Sequence, residues 1–179
     1  MRGTTLASVG AGDPGAHLRP TTDRVRESVF NLLLNGGYGN PVVGARVLDL
    51  FAGTGALGLE ALSRGADHVT FVENGRRAQA LIAANVAKCR AEADTVLLRL
   101  DATKLGACGA AFNLLLLDPP YGTDLGARGL AAALKGGWIA EGALVMWEVE
   151  APPAIPPGLV QLDQRRYGGT VITILEKGP

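Results

Sequence analysis

Cysteine, histidine and aromatic residues are all scarce in this chain of 179 residues, which holds two Cys, two His and 5% Phe, Trp and Tyr together. Cys89 and Cys108 allow one bridge at most and stand in no metal-ligand spacing. A disulfide scaffold and a metal module are therefore not expected. A reducing, cytoplasmic compartment suits such a chain. His17 and His68 are isolated and are assigned no role. Net charge is lacking too: 17 Lys and Arg balance 17 Asp and Glu. That excludes a protein that holds nucleic acid through bulk charge; such a partner would need a local basic patch or a shaped pocket. Long apolar runs are missing. Leu114–Leu117 falls far short of a membrane span, and no apolar stretch follows Arg2, so neither membrane association nor a signal peptide is expected. What remains is 47% hydrophobic and rich in glycine, with 25 Gly. This predicts one soluble domain over 1–179, long enough to bury a core and expected as a monomer. Lys occurs only at 88, 104, 135 and 177, and every other cation is Arg, the better partner for planar phosphate recognition.

Residues 1–20, rich in Gly, Ala and Pro, read as an N-terminal arm. A helix follows over 21–35, with Thr21 or Thr22 as its cap. Val25, Val29, Leu32 and Leu33 give it an apolar face, and Gly36-Gly37 ends it. Over 45–175 the pattern alternates between strand and helix. Strands are predicted at Arg46–Leu50, His68–Glu73, Thr95–Leu100, Phe112–Leu117 and Ala143–Val149. Helices are predicted at Ala56–Arg64, Gly75–Arg90 and Leu125–Lys135. Two further strands, Val160–Arg165 and Thr170–Leu175, flank a Gly168-Gly169 hairpin connection. The fold class is α/β: a Rossmann-like sheet of seven strands, mostly parallel, with a C-terminal antiparallel hairpin and helices on both faces. In such sheets ligands bind at the carboxyl ends of the strands, near the switch point.

The loop Asp49-Leu50-Phe51-Ala52-Gly53-Thr54-Gly55-Ala56-Leu57-Gly58 leaves a strand and opens a helix. Its glycines permit a tight turn and close approach of backbone to a ligand. Gly53, Gly55 and Gly58 even satisfy the dinucleotide spacing, and Glu73 stands where an acid accepts from ribose hydroxyls. Asp49 decides between ligands. A carboxylate beside a pyrophosphate would repel it, whereas S-adenosylmethionine has no phosphate and carries an ammonium and a sulfonium. Asp49 thus favours S-adenosylmethionine over a nicotinamide dinucleotide; its plainer alternative is a cap within the turn. Asp101, ending the third strand, is read equally as an acceptor for an adenine amino group and as the N-cap of the next segment.

Asp118-Pro119-Pro120-Tyr121 follows the fourth strand. The pattern suits methylation of a planar amino group, whose lone pair is delocalised into its ring. If the Asp118 carboxylate and the Pro119 carbonyl accept the two amino hydrogens, the nitrogen is drawn toward tetrahedral geometry and aimed at the methyl. The prolines fix the backbone. Tyr121 would stack on the base. The alternative is a proline turn with a surface Tyr.

Together these motifs resemble the class I S-adenosylmethionine-dependent amino methyltransferases. A third stretch narrows the resemblance: Arg19-Pro20-Thr21-Thr22-Asp23-Arg24-Val25-Arg26-Glu27, preceding the glycine loop, resembles the RsmD family. The resemblance covers about residues 18 to 175. It implies methylation of the exocyclic N2 of a guanine in 16S ribosomal RNA, with the small ribosomal subunit as partner and no metal. It implies cofactor contacts from Asp49, Phe51, Gly53, Thr54, Gly55, Glu73, Asn74, Asp101 and Ala102. Asp118, Pro119, Pro120 and Tyr121 would hold the target base. Arg19, Thr21, Arg24, Arg26 and Glu27 would lie over the site, and from the residues alone Arg24 and Arg26 at a helix start could hold a phosphate. Three features depart from the family. Its longer basic start is represented by Met1-Arg2-Gly3 alone, which implies a shortened start or fewer RNA contacts there. Asn74-Gly75 follows Glu73 where a second acid is common. Zero net charge favours an assembled subunit over naked RNA as substrate. DNA adenine N6, another RNA and a protein glutamine share the chemistry and stand as alternatives; a nicotinamide oxidoreductase leaves Asp118–Tyr121 without a role.

Overall fold

The computed structural model describes residues 6–7 and 23–179. The cap at Thr21 or Thr22, and with it Arg19, lies outside the described residues. The helix beyond them, α1, runs Asp23–Asn35 and buries Val29, Phe30 and Leu33. Gly36 N–H bonds the Leu32 carbonyl and closes it. Phe30 replaces Val25 and Leu32 at the heart of the apolar face, because a 3.6-residue period carries the stripe from 29 to 30 and 33.

Seven strands form one sheet: β1 Arg46–Leu50, β2 His68–Val72, β3 Thr95–Leu98, β4 Phe112–Leu117, β5 Ile139–Val149, β6 Leu159–Tyr167 and β7 Thr170–Lys177. Their order is β3-β2-β1-β4-β5-β7-β6. The first five are parallel; β7 runs antiparallel to both β5 and β6. Three helices alternate with the parallel strands: α2 Ala56–Ser63, α3 Arg76–Cys89 and α4 Leu125–Lys135. Single 3-10 turns occupy Glu92–Asp94 and Ala102–Lys104. Strand β5 begins four residues before the predicted Ala143, across a register shift against β4 between Phe112 and Leu114. Glu141-Gly142 within it hides the strand from an apolar count.

Alternation along each strand divides the core in two. Val47, Val69, Phe71, Leu114, Leu116 and Met146 pack with α1, α2 and α3 on one face. Leu48, Leu50, Val72, Leu115, Leu117 and Val145 pack with α4 on the other. Strand β4 is buried on both faces, as its unbroken leucine run requires. The chain winds outward from β1 to β3 and back from β4, so the switch point lies between β1 and β4. Leu50 stands opposite Leu117 there, and the residues that follow, Phe51 and Asp118, leave the sheet side by side.

Candidate active site

The glycine loop is built from unusual backbone. Phe51 has a φ of 59°, in the left-handed region, although it carries a side chain. Such a residue stores strain of about 1–3 kcal/mol, and it marks functional turns more often than ordinary ones. Gly55, with φ 77°, opens α2. Gly58 serves a different end. A Cβ there would sit 2.5 Å from Phe71 Cε1 and 2.7 Å from Val69 Cγ1, so α2 can press against β2 only without a side chain at that point.

Two carboxylates hold the loop. Asp49, only 1% exposed, accepts the Gly58 N–H at 3.0 Å. Glu73, one residue past β2, accepts the Gly53 N–H at 3.0 Å through one oxygen and the Gly75 N–H at 2.7 Å through the other. It therefore joins the glycine loop to the start of α3. Both acids meet the loop from strand ends, and each is also a structural brace. Burial pushes the Asp49 carboxyl up to about 8 against the pull of the Gly58 bond, and the charges of Asp118 and Glu73 push it the same way. Asp49 at the end of β1 thus feels the acids that follow β2 and β4. This mouth is unfavourable for a pyrophosphate and favourable for a ligand bearing positive charge.

Asn85, completely buried on α3, completes the loop's support. Its amide donates to the Thr54 carbonyl at 2.9 Å and the Ala7 carbonyl at 3.1 Å, and accepts from Ala7 N–H at 2.7 Å. It is a satisfied structural amide. Asn74 is exposed beside Glu73. Asp101 caps the turn at Ala102–Lys104, accepting from Thr103 N–H and Oγ1. Of its two readings, the cap is the one made here, and those bonds hold its carboxyl below the usual range. Ala102 is buried against α4.

Asp118 is half-buried and Pro119 buried at the end of β4. Tyr121 is not a loose surface ring. Its hydroxyl donates to Glu148 Oε1 at 2.9 Å and lies 3.0 Å from Thr170 Oγ1. Helix α4 reaches under both motifs through two glycines. A Cβ at Gly126 would meet Pro119 Cγ at 2.7 Å, and one at Gly129 would meet Phe51 Cε2 at 2.9 Å. Residues 126, 129, 148 and 170 escape the motif reading. The signals were a pair of glycines three apart within a helix, which is costly without a packing reason, and a lone acid at the end of an apolar strand. Thr170 belongs to the tight turn expected there, with a further role for its hydroxyl.

The basic helix start is divided. Arg26 donates to Asp23 Oδ1 at 2.8 Å, and its Nε lies 3.8 Å from Glu60 Oε2, which in turn holds Arg64 at 2.6 Å. Arg26, expected over the substrate, ties α1 to α2, because Glu60 presents its carboxylate to both helices. Arg24 and Glu27 are exposed. Arg19 and Thr21 lie outside the described residues. The cavity of about 720 Å³ lined by Tyr38, Asn113, Leu144 and Leu162 opens at the amino ends of the strands, away from every motif above. No group of three or more metal-ligating side chains occurs among the described residues, and none of their helices is long and apolar enough to cross a membrane.

A family described as Conserved hypothetical protein 95 matches residues 4–176. Ribosomal RNA small subunit methyltransferase D of Escherichia coli K12 is 36% identical over 156 residues, covering 86% of this chain and 76% of that protein. The chain belongs to the RsmD family. Members of this family and its structural neighbours share the sheet described above. The structure of yhhF from Escherichia coli superposes with a TM-score of 0.78 at 34% identity, covering 90% of this chain and 88% of that one. A hypothetical protein of Thermus thermophilus superposes at 0.74 with 28% identity, covering 98% and 94%. The match to the family spans both the glycine loop and Asp118–Tyr121.

Proposed function

We propose that the chain methylates the exocyclic N2 of a guanine in 16S ribosomal RNA, using S-adenosylmethionine. Bound there, S-adenosylmethionine would supply an electrophilic methyl carried on a sulfonium. One observation carries the reading: the glycine loop and Asp118-Pro119-Pro120-Tyr121 leave adjacent strands at the switch point, beside the acids Asp49 and Glu73. The relative named for ribosomal RNA small subunit methylation supports the substrate class.

The residues divide the work. Phe51, Gly53, Thr54 and Gly55 line the approach to the cofactor, with Asn74 and Ala102 flanking it. Asp49 braces the loop through Gly58 and would place negative charge behind it when ionised. Glu73 retains lone pairs for ribose hydroxyls while it braces Gly53 and Gly75. Asp101 faces the adenine end with its second oxygen. Asp118 and the Pro119 carbonyl accept the two amino hydrogens, and Pro120 keeps that carbonyl aimed. No strong base is required, because the proton leaves after the nitrogen has become cationic. Tyr121 stacks on a guanine that must be unpaired or flipped out. Arg24 and Glu27, with Arg19 and Thr21 ahead of them, form the substrate side. The whole chain acts as one cytoplasmic domain and as a monomer. Its balanced charge favours the assembled small subunit as substrate over free RNA.

The deciding experiment offers labelled methyl groups from S-adenosylmethionine to naked 16S RNA and to assembled small subunits, both lacking the modification. Digestion and mass spectrometry identify the product. N2-methylguanosine, formed faster on the subunit, is expected. Cofactor binding without transfer to either acceptor would overturn the assignment and direct attention to DNA and protein amides.

A further inference from the structure

Strand β5 ends in a puzzle. Its residues 143–147 are all apolar and buried, and Glu148 follows at 3% exposure. A carboxylate is costly to bury, and an apolar residue would fill the same space without that penalty. Glu148 stands opposite Ile172 on β7. Thr170, two residues along β7 from Ile172, therefore shares its face. Between them reaches the hydroxyl of Tyr121, 27 residues from Glu148 and 49 from Thr170 in sequence. A phenol has one proton. With that proton given to Glu148, the Thr170 hydroxyl donates to the phenol oxygen. The bonds run in one direction, from Thr170 through Tyr121 to the carboxylate.

We propose that Glu148 and Thr170 are positioning residues for the target base, acting through the ring of Tyr121. This rests on the reading of Asp118–Tyr121 as the base-holding motif. Two effects follow from the geometry. Tied at its far end to two strands, the ring cannot swing about its Cα–Cβ bond, so the plane it offers is set before the base arrives. The second effect is electrostatic. The amino nitrogen becomes cationic as the methyl is transferred, and that charge spreads into the base. A tyrosine face attracts positive charge, and a phenol that donates to a carboxylate holds more electron density than a free one. Tyr121 itself is no proton acceptor in this scheme. Burial and the Glu148 charge hold its hydroxyl far above the ordinary range, so it stays a phenol.

The test compares Tyr121→Phe, Glu148→Gln, Thr170→Val and Thr170→Ser with the parent chain. Single-turnover methyl transfer to assembled small subunits that lack the modification is followed at saturating subunit, beside cofactor binding by calorimetry. Tyr121→Phe keeps the ring and loses both bonds; a fall in rate of about tenfold or more is expected, with cofactor affinity unchanged. Glu148→Gln keeps an acceptor and loses the charge, so its rate falls less. Thr170→Ser restores what Thr170→Val loses. The double variant Tyr121→Phe/Glu148→Gln is no slower than the slower single, since both act through one ring. Full rates in Tyr121→Phe and Glu148→Gln, additive losses, or losses matched by weaker cofactor binding would each overturn the inference. A parent that binds cofactor and transfers nothing to guanine overturns the functional reading and this inference together; an active parent with full-speed variants overturns the inference alone.

Discussion

The two loops at the switch point are held in opposite ways. The glycine loop is braced through its backbone: Asp49 accepts the Gly58 N–H, Glu73 the Gly53 N–H, and Asn85 donates to the Thr54 carbonyl. Its shape is written in backbone, in the left-handed Phe51 and Gly55. The tetrapeptide is rigid in itself and anchored through its side chains, Tyr121 to β5 and β7 and Pro119 to α4. A loop that must approach a cofactor with its own backbone needs small residues and braces on its N–H and C=O groups. A loop that must present side chains to a large substrate needs its side chains fixed from outside.

The sharpest way to separate the two loops is Asp118→Ala. Removing an acceptor for the amino hydrogens is expected to cost about 10²–10³-fold in the rate of transfer, with cofactor binding by calorimetry unchanged. Equal loss of both would show that the loops work as one. Next come two glycines. In Gly58→Val the new side chain strikes Phe71 and Val69, two buried residues of β2. A loss of about 1–3 kcal/mol is expected, read as a fall of several degrees in thermal midpoint, together with weaker cofactor binding. Gly126→Val strikes Pro119 and Trp147 instead. It should lose a similar stability yet weaken transfer and spare cofactor affinity.

A gentler probe is pH. The Asp49 carboxyl titrates at about 8 in the folded chain and at 3.8 ordinarily. As pH rises from about 4 toward 8 the unfolded chain gives up this proton first. The contribution of Asp49 to stability therefore falls across that window and levels off above it. A cationic cofactor prefers the ionised acid, so its affinity rises with pH up to about 8, by no more than about tenfold per unit. Asp49→Asn should flatten that rise; an unchanged profile would remove Asp49 from the cofactor side. The smallest effect belongs far from both loops. Tyr38 donates to Asp163 at 2.9 Å, which, with burial, pushes its hydroxyl up to about 12. Tyr38→Phe should lose about 1 kcal/mol or less in chemical denaturation and leave transfer untouched.

The same contrast governs what could be read from the sequence. Strands β1 and β4 and helix α4 are legible to the residue, because apolar runs bounded by Gly, Asp and Pro leave little freedom. Both motifs are legible for the same reason, being contiguous. Strand β5 is underread at its start, where Glu141 and Gly142 interrupt the pattern. The supports of Tyr121 stay hidden because no local period links positions 121, 148 and 170; the sheet order alone brings them together. Arg26 has a partner that the sequence does not show. A cation at a helix start looks like a phosphate ligand until the fold sets Glu60 beside it.

Asn85 treats Ala7 as a neighbouring strand would, exchanging a donor and an acceptor with its backbone alone. Leu6 beside it, partly buried, packs against the core. Residue 7 is thus free in its side chain and fixed in its place. Side chains of many kinds can stand there, whereas proline, which lacks the N–H that Asn85 accepts, would cost the buried amide one of its three partners and loosen the Thr54 end of the loop.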